Sequence, residues 1–235
     1  MISGLQKMTL LDYPGKVACT VFLQGCNFRC PFCHNSGLLS GNEPELMTVE
    51  ELLAFLKKRQ GILDGVCITG GEPTLHPGLP QLLQGIKALG YSVKLDTNGC
   101  RPELLKQLVA EKLVDYVAMD IKNSPRLYGQ TVGVPKLHLD GIEESIRFLL
   151  SGAVDYEFRT TVVAELHSEE SITEIGPWLR ELDSHRKARR FFLQCYTDRD
   201  SVLQSGLHAP EKAQLETYAR ILAPFADFVQ IRGVD

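Results

Sequence analysis

Short apolar runs rich in β-branched residues recur along the chain at 17–23, 65–69, 91–96, 115–121, 156–163, 190–196 and 227–231. Each has the length of a single strand and is bounded by glycine, proline or polar residues. The stretches between them carry a different rhythm. Val49, Leu52, Leu53 and Leu56 repeat at i, i+3, i+4 and i+7, as do Leu79, Leu82, Leu83 and Ile86. The same spacing places Ile142, Ile146, Leu149 and Leu150 on one helical face, and Leu215, Tyr218, Ala219 and Leu222 on another. Thr48 followed by Glu51 forms a capping box at the start of the first long helix.

Strand and helix patterns therefore alternate, which predicts an α/β fold with a largely parallel sheet covered by helices. Periodicity leaves open whether the sheet curls into a barrel or remains doubly wound. In either case residues at the carboxyl ends of the strands form one constellation. No internal repeat, low-complexity tract or linker-like shift in composition interrupts the pattern, and the longest irregular stretch is 197–210. A single domain over 1–235 is the expectation.

The 235 residues are 44% hydrophobic with a formal net charge of -4, enough to bury a core without disulfides. That balance lacks the basic excess of a protein that neutralises many phosphates, so no nucleic-acid partner is expected. No apolar run approaches membrane-spanning length and the N-terminus has no signal-peptide pattern, which predicts a cytoplasmic protein without a membrane partner.

Seven cysteines change the picture, because three crowd into Cys26, Cys30 and Cys33 on the loop after the run at 17–23. Cys19, Cys67, Cys100 and Cys195 lie in or beside apolar runs, where a free thiol packs as a small hydrophobe in a reducing compartment. Soft thiolates select an iron–sulfur cluster or zinc. The spacing of three then two residues matches neither paired zinc-ribbon spacings nor the ferredoxin pattern. A zinc site completed by His34 is the other reading, although adjacent Cys33 and His34 would have to bend sharply around one tetrahedral ion.

With Phe32 before the third cysteine, this segment resembles the hallmark of the radical S-adenosylmethionine superfamily. The resemblance implies a partial (β/α)6 TIM-like barrel. It also implies a four-iron four-sulfur (4Fe-4S) cluster held by Cys26, Cys30 and Cys33, with one iron left to chelate S-adenosyl-L-methionine. One electron then releases a 5′-deoxyadenosyl radical, chemistry that belongs to the cofactor while the protein orients it. Gly70, Gly71 and Glu72 of the Gly-Gly-Glu-Pro step resemble the glycine-rich element that meets the cofactor's amino end. Taken alone they read as a turn.

Asp96-Thr97-Asn98-Gly99 and Asp120-Ile121-Lys122 resemble motifs of glycyl-radical-enzyme activases. By that resemblance Asp96, Thr97 and Asp120 face the cofactor's carboxylate, with a monovalent cation between them supported by a carbonyl near Ala118. Asn35, Lys122 and Arg159 match further cofactor contacts. A histidine that the pyruvate formate-lyase activase carries near the end of the sixth strand is absent; Cys195-Tyr196-Thr197-Asp198 stands there.

The entry Thr9-Leu10-Leu11-Asp12-Tyr13-Pro14-Gly15 resembles anaerobic ribonucleoside-triphosphate reductase activating proteins. Asp12 then corresponds to an aspartate close to the substrate glycine, against a plain reading as a turn residue. The implied partners are a glycyl radical enzyme subunit and a reduced donor such as flavodoxin or ferredoxin. The alternatives are a pyruvate formate-lyase activase, a small-molecule enzyme such as a deazapurine synthase, and a non-catalytic iron–sulfur or zinc module.

Overall fold

A computed structural model describes residues 1–40, 44–199 and 201–234. Of the irregular stretch expected at 197–210, residue 200 lies outside the described residues. The chain divides into two compact units, one of residues 1–27 and 37–118, the other of residues 28–36 and 119–235. Strand order in the sheet follows chain order from first to eighth.

The first unit contains β1 (Ile2–Thr9), β2 (Ala18–Leu23), β3 (Gly65–Gly70) and β4 (Ser92–Thr97). β2, β3 and β4 run parallel, and β1 pairs antiparallel with β2. The apolar runs anticipate every strand except β1. That strand carries exposed Gln6, Lys7 and Met8 and its register shifts twice, so it shows neither alternation nor a continuous apolar run. α1 (Val49–Lys57) begins at the expected capping box: Thr48 Oγ1 accepts from Glu51 N, and Glu51 accepts from Thr48 N. α2 (Leu79–Ala88) buries the four predicted positions, and α3 (Pro102–Ala110) starts on a proline whose missing N–H costs nothing at a helix entry.

Parallel register pairs Thr20 with Cys67 and Cys67 with Lys94. Because side chains alternate across a strand, these three form one row on one face, and Asp96 follows Lys94 on the same face. The Tyr13 ring packs below that row so closely that a Cβ on Gly65 would lie 2.9 Å from it, and Tyr13 clusters with Ala18, Cys67 and Tyr116.

β5 (Tyr116–Asp120) leads from the first unit into the second. The second unit holds α4 (Pro125–Thr131), α5 (Asp140–Leu150), β6 (Asp155–Val162), α6 (Glu169–Leu182), β7 (Phe191–Cys195), α7 (Lys212–Leu222) and β8 (Val229–Arg232). β6, β7 and β8 are parallel. α5 buries Ile142, Ile146, Leu149 and Leu150, as their spacing predicts, and α7 buries Leu215, Tyr218 and Leu222. Among the described residues no helix is long and apolar enough to cross a membrane.

Candidate functional site

In the first unit, β3 ends on Gly70 with φ of 115°, a conformation that favours glycine. A Cβ there would stand 2.3 Å from the Leu23 carbonyl oxygen, and one on Gly71 would stand 2.0 Å from that of Gly25. Gly71 N donates to Leu23 O and Glu72 N to Gly25 O, each at 2.8 Å, while His76 Nε2 contacts Gln24 O. The two glycines are therefore required by the backbone of the step that leads into Cys26, a near neighbour that the sequence did not reveal.

Glu72 is 1% exposed. Its Oε1 accepts from Thr74 N at 3.1 Å, from the Thr74 hydroxyl and from the Thr97 hydroxyl at 2.8 Å, and its Oε2 accepts from Asn98 N at 2.7 Å. Burial pushes the carboxyl up, and these four donors oppose the shift. Asn98 Nδ2 in turn donates to Asn27 Oδ1 at 2.9 Å, beside Cys26. Glu72 thus joins the ends of β3 and β4, and Asn98 carries the network on to the residue after the first cysteine. The roles of Asn98 and Asn27 escaped the sequence reading because nothing local marks a partner 26 or 71 residues away.

Asp96 pairs with the buried Lys94 ammonium. Asp12 lies in the turn after β1, where Leu11 N and Asp12 N both donate to Thr9 Oγ1, and its carboxylate accepts from Thr20 Oγ1 at 2.6 Å. Asp12 is thus a turn residue whose carboxylate is held against Thr20 of β2. Burial pushes the Cys19, Cys67 and Cys100 thiols up to about 12, as inert thiols require.

In the second unit, Cys30 and Cys33 close a turn in which Cys33 N donates to Cys30 O at 3.1 Å. Arg29 N donates to Val132 O at 2.8 Å, and a Cβ on Gly133 would lie 2.6 Å from Arg29 O, so the end of α4 braces this loop. Phe32 is buried, its ring edge-on to His167 at 6.4 Å. Asn35 is half-buried. His34 stacks on Tyr196 at 5.7 Å, its Nε2 lies 2.8 Å from Thr197 O, and its carbonyl accepts from Ser201 Oγ at 2.9 Å. The segment lacking the activase histidine therefore grips the cysteine loop through Tyr196 and Thr197.

Both oxygens of Asp120 are engaged: Oδ1 by Arg159 Nε at 3.0 Å and Oδ2 by Lys122 Nζ at 2.9 Å. Burial pushes this carboxyl up, but the guanidinium and the ammonium more than offset it and hold it at about 2. Burial pulls Lys122 down, and Asp120 reverses that, keeping it charged. Three of the expected cofactor residues thus meet in one ion-paired group.

All seven cysteines are free thiols. Lys122 acts on Cys30, and Lys122 and Arg29 act on Cys33, where they oppose the burial that raises that thiol. Cations beside thiols suit ligands that bind as thiolates, so this donor chemistry fits an iron–sulfur cluster. Among the described residues no three His, Cys, Asp or Glu side chains are placed to hold a single metal ion. A cubane makes a different demand, one thiolate on each of three irons.

The radical SAM superfamily model matches residues 20–174. A Methanocaldococcus jannaschii protein provisionally named a glycyl-radical enzyme activating enzyme is 32% identical over 100% of this chain and 97% of its own length. A 7-carboxy-7-deazaguanine synthase of Aquifex aeolicus is 30% identical over 75% of this chain and 78% of its own. The pyruvate formate-lyase-activating enzyme of Clostridium pasteurianum is 34% identical over 52% of each chain. Streptococcus suis SuiB bound to S-adenosylmethionine has the same fold, with a TM-score of 0.68 at 16% identity, over 91% of this chain and 52% of that one. A domain of the Bacteroides vulgatus pyruvate-formate lyase-activating enzyme gives a TM-score of 0.58 at 22% identity, over 72% of this chain and 99% of that one. With the family model covering well over half its length and a relative of that identity along all of it, the chain belongs to the radical SAM superfamily.

Proposed function

We propose that the protein is a glycyl-radical-enzyme activase whose partner is the large subunit of an anaerobic ribonucleotide reductase. The observation that carries the activase reading is the 32% identity to the Methanocaldococcus jannaschii relative along 97% of that protein. The reductase is favoured by the Asp12-Tyr13-Pro14-Gly15 entry. Cys26, Cys30 and Cys33 hold the 4Fe-4S cluster, which when bound and reduced supplies the electron that cleaves S-adenosyl-L-methionine. Flavodoxin or ferredoxin in the cytoplasm delivers that electron, and the whole chain acts as one functional domain.

The chain's own groups have separate tasks in this reading. The Gly70-Gly71-Glu72 step and Asn98 hold the approach to Cys26, and α4 with Tyr196 and Thr197 hold Cys30 to Asn35. Asp120, kept ionised by Lys122 and Arg159, offers a fixed dipolar surface to the cofactor's methionyl end, beside Phe32 and Asn35. By the activase resemblance Asp96 and Thr97, at the end of β4, serve the cofactor's carboxylate. Asp12 orients the glycine-bearing loop of the partner.

Deazaguanine synthase is the second reading, favoured by the 30% identity to the Aquifex aeolicus protein. Anaerobic incubation of the reduced holoenzyme with cofactor and the reductase subunit separates the cases. A glycyl doublet in electron paramagnetic resonance, lost when the partner's glycine is replaced by alanine, supports the proposal. A doublet on pyruvate formate-lyase alone would move the assignment to that partner, and turnover of a free purine precursor would overturn both.

A further inference from the structure

The Asp-Thr-Asn-Gly end of β4 offers hard oxygen donors of the kind that attract an alkali cation. Both donors are already engaged by the chain. Thr97 Oγ1 donates to Glu72 and accepts from Gly99 N at 3.1 Å. Asp96 Oδ1 takes the ammonium of Lys94. Lys94 stands two residues earlier on the same strand and face, so its side chain runs along the strand to the carboxylate, a span of about 6.6 Å that a lysine stem covers.

Lys94 is 2% exposed and Asp96 17%, and neither charge is tolerable there alone. Around them the row across the sheet is Thr20 and Cys67, with Asp12 held against Thr20. Lys94 is the cation that acts on Cys67 beside the carboxylates of Asp96 and Asp12.

We propose that Lys94 is a positioning residue that supplies, as a fixed ammonium, the positive charge that would otherwise come to Asp96 from a dissolved monovalent cation. An ammonium head and a dehydrated potassium ion are similar in size, so the lysine occupies the position an alkali ion would take on this carboxylate. The consequence is a radical SAM enzyme whose cofactor chemistry is independent of potassium and sodium. This inference rests on the cofactor reading of Asp96 made above, but its test needs no protein partner.

The test uses the reconstituted holoenzyme under dithionite, with 5′-deoxyadenosine formation and thermal unfolding both followed in potassium, sodium or tetramethylammonium chloride at one ionic strength. The wild type is expected to change less than twofold among the three salts, with an unchanged melting temperature. Lys94→Met leaves Asp96 without its counter-charge. It should lose at least tenfold in tetramethylammonium, recover most of that loss in potassium, and melt higher in potassium than in tetramethylammonium. Lys94→Arg keeps a fixed cation and should stay insensitive to the salt.

A tenfold fall in wild-type cleavage on withdrawing potassium would overturn the proposal, with or without a folded variant to compare. So would a folded Lys94→Met holoenzyme whose unfolding and turnover ignore potassium. Failure of the wild type to cleave S-adenosylmethionine at all would instead refute the proposed function, while the unfolding comparison would still decide whether Lys94 excludes a cation.

Discussion

Glu72 accepts four hydrogen bonds from inside its own fold, three at Oε1 and one at Oε2, so the network needs an acceptor at both oxygens. Glu72→Gln keeps the volume but turns an amide donor toward the Thr97 hydroxyl or Asn98 N–H. It should cost about 1–3 kcal/mol, the penalty of a buried polar group left unmatched. Urea denaturation of the two proteins measures it. At the cysteines the expectation is all or none: alanine at Cys26, Cys30 or Cys33 should abolish 5′-deoxyadenosine formation, because the proposed cluster has only these three protein ligands. Serine at Cys19, Cys67, Cys100 or Cys195 should leave iron content unchanged, which an anaerobic iron and sulfide assay reports. Lys94 shows where residue-level reading stops. In sequence it merely interrupts an apolar run, and only the pairing with Asp96 two residues on explains how an ammonium is buried in a strand.

Strand ends carry the site, and the elements were legible because their rhythms are local. The runs at 65–69 and 91–96 became β3 and β4 with ends shifted by one residue, and Thr48 with Glu51 became a working cap. β1 was not legible, since an antiparallel strand with exposed Gln6, Lys7 and Met8 has neither periodicity. The reason for Gly71 was hidden too, because its close neighbour is Gly25 on a different strand end. Gly71→Ala should therefore displace the Gly25–Cys26 step. We expect little soluble holoprotein and iron content well below wild type, whereas Gly61→Ala, at a position with nothing within 4 Å, should cost only backbone strain.

At the end of β5, Asp120 gives a pH signature. Its folded value of about 2 lies below the ordinary 3.8, so the stability it contributes is complete above the ordinary value and disappears as pH falls toward the folded one. Asp120→Asn should unfold more readily than wild type at neutral pH. The gap in urea midpoint should close as the pH is lowered through that window.

Across the whole chain, the residues expected to serve the cofactor fall in both units: Cys26 and Asp96 in the first, Cys30, Cys33, Asp120, Lys122 and Arg159 in the second. The family was visible from the eight residues between Cys26 and Cys33 inclusive, because three thiols at a set spacing specify a coordination chemistry. The partner is harder to read, because a substrate that is a loop of another protein leaves no ligand pattern in this one. The most direct measurement is isotope transfer. With a reductase subunit deuterated at its radical glycine, reduced enzyme and unlabelled cofactor, 5′-deoxyadenosine should carry deuterium in step with the growth of a glycyl radical signal whose proton doublet has collapsed to a single line, because a deuteron remains on the radical carbon. Formation of 5′-deoxyadenosine without deuterium, and without a glycyl signal on that subunit, would contradict the proposed function.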